Sequence, residues 1–274
     1  GLAHADFRQH RLEARRGAPV ITLASTLSDT PVSIRSGSKT WAPVNYDHKF
    51  YGEVSVRTAL EKSLNVATVR LGQAVGAERI IDVARRLGIE SPLEPVPALA
   101  LGAADVTPLE MARAYATLAS GGVRTETRFF DDLTDSSGRT LARGDVSSEV
   151  ALDPGVSFLA VSLLEGVVDR GTARAVRSAG IQGPIAGKTG TSNDSKDAWF
   201  VGFTPDLVAV AWVGFDDPRE PLLVEQDHRR QSNQKARPHS QGCDSGRRPR
   251  VASGIEAGLQ NPRRRHRRQA HRVR

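Results

Sequence analysis

The chain has 274 residues, 38 Lys plus Arg against 31 Asp plus Glu, and a single Cys, Cys243. One cysteine excludes a disulfide framework within the chain, and no run of about 18 apolar residues is present to act as a transmembrane anchor. The basic balance is local: from Arg219 onward there are 15 Lys plus Arg against 5 Asp plus Glu, whereas residues 1–218 hold 23 against 26.

Taken in order, Gly1 to Arg16 contains neither Ser nor Lys and has no apolar h-region of the kind a signal peptide needs. Ser36-Gly37-Ser38-Lys39 lies in a Gly/Ser-rich polar stretch closely followed by Trp41 and Pro43, so a loop is expected there. Val56 to Lys62 suits a helix. A second helical pattern, with Ala67, Leu71 and Val75 at four-residue spacing, begins after Ser63-Leu64-Asn65. Ile80, Val83, Ala84 and Leu87 continue the helical period up to Gly88.

Thr107-Pro108-Leu109-Glu110 is a capping box with Pro at the first helical position. It heads a helix expected to bury Met111, Ala114, Tyr115 and Leu118 and to end at Gly121-Gly122. Val156 to Val168 places Leu159, Leu163, Leu164 and Val167 on one face, expected to be core. Asp197 to Phe203 and Leu207 to Phe215 are β-rich runs joined by the turn residues Thr204-Pro205-Asp206, an antiparallel hairpin fed directly by the Lys188 segment. The segment from Arg219 to the end lacks apolar periodicity and is expected to be disordered.

Two short motifs carry chemistry. Lys188-Thr189-Gly190-Thr191 brings a cation, hydroxyls and a Gly to the start of a strand, an anion site beside an open backbone edge. Its alternative reading is a solvated turn. Ser63-x-Asn65 between two helices presents a hydroxyl and a carboxamide to one side, with helix capping as the alternative. No metal site is expected, because His48 has no neighbouring His, Cys or carboxylate in a ligand pattern. No cofactor is implied, and the spacing ahead of Gly187-Lys188-Thr189 is not that of a phosphate-binding loop.

Together these motifs resemble the penicillin-binding proteins, specifically the transpeptidase domain of the bifunctional class A enzymes. The resemblance runs from about Leu12 to Asp217 and includes Trp41 to Asp47, Thr58 to Leu71, Pro97 to Gly102, Val106 to Ala112 and Ala119 to Gly122. Arg170-Gly171-Thr172-Ala173, Gly187 to Thr191 and Ala198 to Gly202 continue it. It implies an α/β fold of the α+β type, an antiparallel sheet packed between helices, as in the serine β-lactamases. It also implies serine acyl transfer on D-alanyl-D-alanine stem peptides of peptidoglycan, inhibited by β-lactam antibiotics, outside the cytoplasmic membrane. By the same resemblance Ser63, Asn65 and Lys188 are catalytic. Ser63 relays protons, Asn65 orients a neighbouring lysine and the substrate amide, and Lys188 supplies positive potential. Thr189 and Thr191 grip the substrate carboxylate, Gly190 lets the peptide lie along the strand edge, and the Thr191 N–H is an oxyanion donor.

The family's Ser-x-x-Lys nucleophile motif, about sixty residues before Ser-x-Asn, has no counterpart near residue 1. Ser36-Gly37-Ser38-Lys39 matches by spelling alone, 27 residues before Ser63. The expected organisation is therefore a non-family segment at 1–16, a partial transpeptidase domain at 17–218 and a basic tail at 219–274. Both ends are expected to be out-of-frame sequence, or the chain a degraded copy, and the domain inactive as it stands. An anchor and a glycosyltransferase domain are expected in the full-length protein. The alternatives are a serine β-lactamase-like hydrolase and a non-catalytic module whose run Arg263 to Arg268 binds nucleic acid.

Overall fold

The computed structural model describes residues 21–36, 39–144, 146–192, 196–215, 217, 222, 250–253 and 257–258. Residues 1–16, Cys243 and the run Arg263 to Arg268, with the expectations placed on them, lie outside the described residues.

The chain first builds a small antiparallel pair, β1 (Thr26–Asp29) with β4 (Gly52–Ser55), in a register that sets Asp29 opposite Gly52. Between them β2 (Ile34–Ser36) and β3 (Lys39–Trp41) form a hairpin with Ser36 opposite Lys39. Ser36 and Lys39 thus face each other as the paired ends of two strands, in line with the loop expected there.

Helices follow: α1 (Val56–Glu61), α2 (Asn65–Val75), α3 (Ala77–Arg86), a 3-10 turn (Pro97–Leu101) and α4 (Pro108–Ala119). The predicted capping box is formed, with the Thr107 hydroxyl accepting from the Glu110 N–H and the Glu110 carboxylate accepting from the Thr107 N–H. The α4 helix stops where Gly121 and Gly122 take positive φ, 71° and 96°. A Cβ on Gly122 would stand 2.4 Å from the Leu152 carbonyl oxygen, so this position tolerates no side chain. Two short pairs, β5 (Val123–Thr125) with β8 (Ser148–Val150) and β6 (Asp132–Thr134) with β7 (Thr140–Arg143), lead to α5 (Pro154–Asp169) and the short α6 (Ala175–Ser178).

The main sheet comprises β9 (Ala186–Thr191), β10 (Asp197–Phe203), β11 (Leu207–Gly214), β12 (Arg250–Ser253) and β13 (Ala257–Gly258). Its order is β12–β11–β10–β9, all antiparallel, with β13 also on β11. The expected hairpin joins β10 to β11, closed by the Thr204 N–H donating to the Leu207 carbonyl at 2.8 Å. Two segments of the tail thus extend the sheet beyond Asp217.

Alternation along β11 buries Val208 and Val210 while leaving Leu207, Ala209 and Ala211 exposed. The buried face joins Ala112 of α4, Leu164 of α5, Val201 and Phe203 in one core cluster. Val167, Val168, Ala173 and Ile185 form a second, beside β9. The expectation for α5 needs one correction. Leu163, Leu164 and Val167 are buried, but Leu159 is 47% exposed. The second half of α5 meets the strands, and the turn that carries Leu159 stands clear of them.

Glu110 does more than cap its own helix. Its carboxylate accepts from the N–H groups of Glu90, Ser91 and Thr107 at 2.6–2.7 Å and from the Ser91 and Thr107 hydroxyls at 2.7 and 2.9 Å. Burial pushes its pKa up, but the bonds from Thr107 and Ser91 outweigh that and bring it from 4.5 to about 2. A carboxyl whose folded pKa is depressed stabilises the fold above its unfolded pKa, and that contribution is lost as pH falls from about 4.5 toward 2. Glu110→Gln is expected to lower unfolding free energy at pH 7 by about 2 kcal/mol. Urea titrations should show the gap to the parent narrowing at pH 3; an equal gap at both pH values would refute the assignment.

Candidate active site

The Lys188 strand and the Ser63 turn meet. Lys188 Nζ donates to Ser63 Oγ at 2.9 Å and to the Thr189 carbonyl at 2.9 Å, joining residues 125 apart in sequence. Burial brings the Lys188 ammonium from 10.5 to about 8. Ser63 sits in left-handed backbone, φ 54°, a conformation that costs a residue with a Cβ and is held here by its surroundings. The flanking chain supplies that hold: the Ser63 N–H donates to Leu60 O at 3.2 Å and the Leu64 N–H to Ala59 O at 2.8 Å, closing α1 and throwing Ser63 outward.

The start of α2 is fixed from outside the helix. Its N-cap residue is Leu64, whose side chain cannot accept, so neither Ser63 nor Asn65 acts as the cap that local sequence offered as an alternative. Asp29 and Asn45 take that role across the fold. Asp29 Oδ1 accepts from the Ala67 N–H and Asn45 Oδ1 from the Val66 N–H, both at 3.3 Å. Asn45 Nδ2 donates to Asp29 Oδ2 at 2.7 Å and to Lys49 O at 2.8 Å, and the Tyr51 N–H reaches Asp29 Oδ2 at 2.9 Å. Asp29 is 0% exposed and Asn45 2%. The Asn65 carboxamide, freed from capping, donates to Val44 O at 2.8 Å on the rim of the site.

A second tie secures the opposite wall. Buried Glu61, the last residue of α1, pairs with Arg170, whose Nε lies 3.1 Å from Oε2, and with Arg57 at 3.3 Å. Burial pushes the Glu61 carboxyl up, but the hydrogen bonds and charges of Arg170 and Arg57 bring it below its ordinary value. The Glu61 carbonyl accepts from the Thr172 N–H at 3.3 Å. Gly171 permits this approach, since a Cβ there would lie 2.1 Å from that carbonyl oxygen. Thr172 Oγ1 in turn lies 2.6 Å from Thr189 Oγ1.

Ser63, Lys188 and Thr189 therefore converge through direct hydrogen bonds, with Asn65 two residues along the same turn. Gly190 and Thr191 continue β9, opposite Trp199 and Ala198 of β10. Among the described residues β9 is the outermost strand on this side of the sheet, the position from which a sheet can be extended by an added strand. The Trp199 and Trp212 indole N–H groups both donate to Asp197 Oδ2, at 3.2 and 3.4 Å, stiffening the strand that backs the site.

Sequence reasoning gave no role to Asp29, Asn45, Glu61 or Thr172. Asn45 and Thr172 lay in stretches picked out by resemblance, whereas Asp29 carries no local signal. Among the described residues no cluster of His, Cys, Asp or Glu is placed to hold a metal.

A family profile described as penicillin binding protein transpeptidase domain matches residues 18–237, reaching past the Asp217 limit of the resemblance. Penicillin-binding protein 1A of Rickettsia conorii is 38% identical over 218 residues, covering 70% of this chain and 27% of that protein. The chain thus spans about a quarter of the length of the curated relatives it matches. The crystal structure of penicillin-binding protein 1A from Haemophilus influenzae superposes with a TM-score of 0.70 at 30% identity, covering 73% of this chain and 36% of that one. The PonA1 protein from Mycobacterium tuberculosis in complex with penicillin V superposes at 0.62 with 26% identity, covering 74% and 57%.

The external cap and the Asn65 amide separate in mutants. Asp29→Ala leaves buried donors on Asn45, Tyr51 and Ala67 unpaired and is expected to cost about 3 kcal/mol of stability, whereas Asn65→Ala should cost under about 1 kcal/mol. Equal losses in guanidinium titrations would contradict the division of roles.

Proposed function

The chain belongs to the penicillin-binding protein transpeptidase domain family, and on that premise we propose that it forms the substrate-recognition side of a D,D-transpeptidase that cross-links peptidoglycan. The observation that carries this reading is the 2.9 Å contact between Lys188 Nζ and Ser63 Oγ at the open edge of β9.

A stem peptide ending in D-alanyl-D-alanine adds as an extended strand along β9, with Gly190 offering no side chain to obstruct it. Its terminal carboxylate takes hydrogen bonds from Thr189 and Thr191 and faces the Lys188 ammonium. Asn65 holds the substrate amide, and the Thr191 N–H stabilises the oxyanion that develops as the acyl carbon is attacked. Ser63 passes protons between Lys188 and the leaving amine. The nucleophile of the full reaction is a serine that no described helix of this chain supplies in a Ser-x-x-Lys setting.

A β-lactam presents the same carboxylate beside a strained amide, and the PonA1 relative binds penicillin V. The substrate places this reaction outside the cytoplasmic membrane. Among the described residues no helix is long and apolar enough to cross a membrane.

The test is titration of N-acetyl-D-alanyl-D-alanine into the full chain by NMR. Thr189→Val and Thr191→Val are each expected to weaken binding about tenfold, equivalent to about 1.4 kcal/mol, and Lys188→Met to weaken it further. Lys188 is charged below about 8, so parent affinity should fall as pH rises through that value, with Lys188→Met showing no such fall. Binding unaffected by these substitutions would sink the reading.

A further inference from the structure

The loop that joins β3 to β4 exposes more aromatic surface than the fold needs. It runs from Ala42 to Tyr51 and is anchored by two buried residues, Pro43 and Asn45, while Val44 and every residue from Tyr46 to Tyr51 are exposed. Tyr46 is 74% exposed, Tyr51 45% and Phe50 40%. Single exposed rings are ordinary on a protein surface, whereas rings gathered on one short loop mark a place of contact.

This loop is held from several sides. Asn45 donates to Asp29 and to Lys49 O, the His48 N–H donates to Asn45 O at 2.9 Å, and the Tyr51 N–H donates to Asp29. The Asp47 carboxylate accepts from the Lys49 N–H at 3.1 Å and from the Tyr51 hydroxyl at 2.6 Å. The hydroxyl bond holds the Asp47 carboxyl below its ordinary value and the Tyr51 phenol above its own. His48 turns the chain in left-handed backbone, φ 57°. Rings mounted on so fixed a loop are pre-organised, and a ligand that meets them orders little of the protein.

Two contacts set the loop beside the recognition residues while leaving it outside the cleft between α1 and β9. Asn65 Nδ2 donates to Val44 O at 2.8 Å, and Lys62 Nζ stands 5.7 Å from the centre of the Tyr51 ring, a cation–π contact.

We propose that this loop is a saccharide-binding shelf, on which the rings of Tyr46 and Phe50 stack against pyranose rings of the glycan strand that carries the stem peptide. The proposal rests on the transpeptidase reading above for its polymer and extends it to the part of that polymer that bears no D-alanine.

A pyranose presents axial C–H bonds on its face and hydroxyls at its edge. The slightly positive C–H groups meet the negative face of an aromatic ring, and the hydroxyls need polar partners beside that ring. Tyr46 joins a ring to a hydroxyl, and exposed Asp47, His48 and Lys49 follow it in the chain. A membrane surface selects a continuous apolar face with cations around it; here three polar residues separate Tyr46 from Phe50, one of them an acid. The substrate's connectivity points the same way. The stem peptide joins its sugar at the end remote from D-alanyl-D-alanine, so with that terminus seated on β9 the sugar lies beyond the cleft, where Asn65 holds the loop at Val44.

The experiment is calorimetric titration of the full chain with peptide-free glycan strands and, as a neutral soluble probe, chitotetraose. Both are expected to bind saturably, and chitotetraose to bind alike in low salt and in about 0.5 M salt, since no ion pair carries the contact. Tyr46→Ala and Phe50→Ala should each weaken binding about tenfold, while Tyr46→Phe, which keeps the ring, should stay within about twofold of the parent. Thermal melting and N-acetyl-D-alanyl-D-alanine binding are measured on the same samples and should not change in these variants. No saccharide binding with peptide binding intact overturns the shelf and leaves the recognition reading standing. Saccharide binding indifferent to both alanine variants, or a concentration-dependent dimer that Tyr46→Ala dissolves, also overturns the shelf. Saccharide binding through the rings without peptide binding supports the shelf and removes the recognition reading; the loss of both kinds of binding removes both.

Discussion

The geometry of the cleft depends on a buried carboxylate and a buried amide capping a helix to which neither belongs. The first turn of α2 exposes N–H groups that Leu64 cannot satisfy, and in a dry interior such donors cost free energy unless something accepts from them. Asp29 and Asn45 do so from β1 and the loop after β3. Because Asp29 must also accept from Asn45 and Tyr51, the position of the helix, the loop and the strand are solved together. A shift of α2 by a fraction of its pitch would break several bonds at once, so the Ser63 turn at its head has little freedom.

The second wall follows the same logic with a different group. Glu61 ends α1 and lies beneath Arg170, while its carbonyl reaches the Thr172 N–H past a residue that must lack a side chain. The turn bearing Ser63 is thereby joined to the loop whose Thr172 touches Thr189. Both halves of the site are registered against α1, and the edge strand β9 is brought in by its packing on α5. The hydroxyls and the amine are placed by rigid elements, the condition under which a weakly acidic alcohol and an amine act on a bound substrate.

Much of this arrangement is legible from residues alone. The period of the helices around Ser63, the capping box at Thr107 and the β10–β11 hairpin each follow from local rules that tertiary packing did not override. The motif residues Ser63 and Lys188 were identifiable as chemical groups, and resemblance supplied their partnership. What local pattern could not supply is the external cap, because the burial of Asp29 and a partner 38 residues away leave no mark on neighbouring sequence. Leu159 failed for the complementary reason. Helical spacing says which residues share a face but not how far along the helix its neighbour extends. The Leu64 cap shows the same limit, since two good capping residues flank a poor one that occupies the position.

The bond between Ser63 and Lys188 closes a loop of 125 residues, and that separation has a kinetic meaning. Contacts distant in sequence are reached after local ones, since chain closure must be met before the contact rewards it. On a ribosome the Ser63 turn emerges long before β9, and α1, α2, β1 and β4 are all synthesised before Lys188. The cleft therefore has no half-formed version. It is completed only when β9 docks against α5, and a chain arrested or cleaved before that strand would lack the Lys188 amine that meets the Ser63 turn.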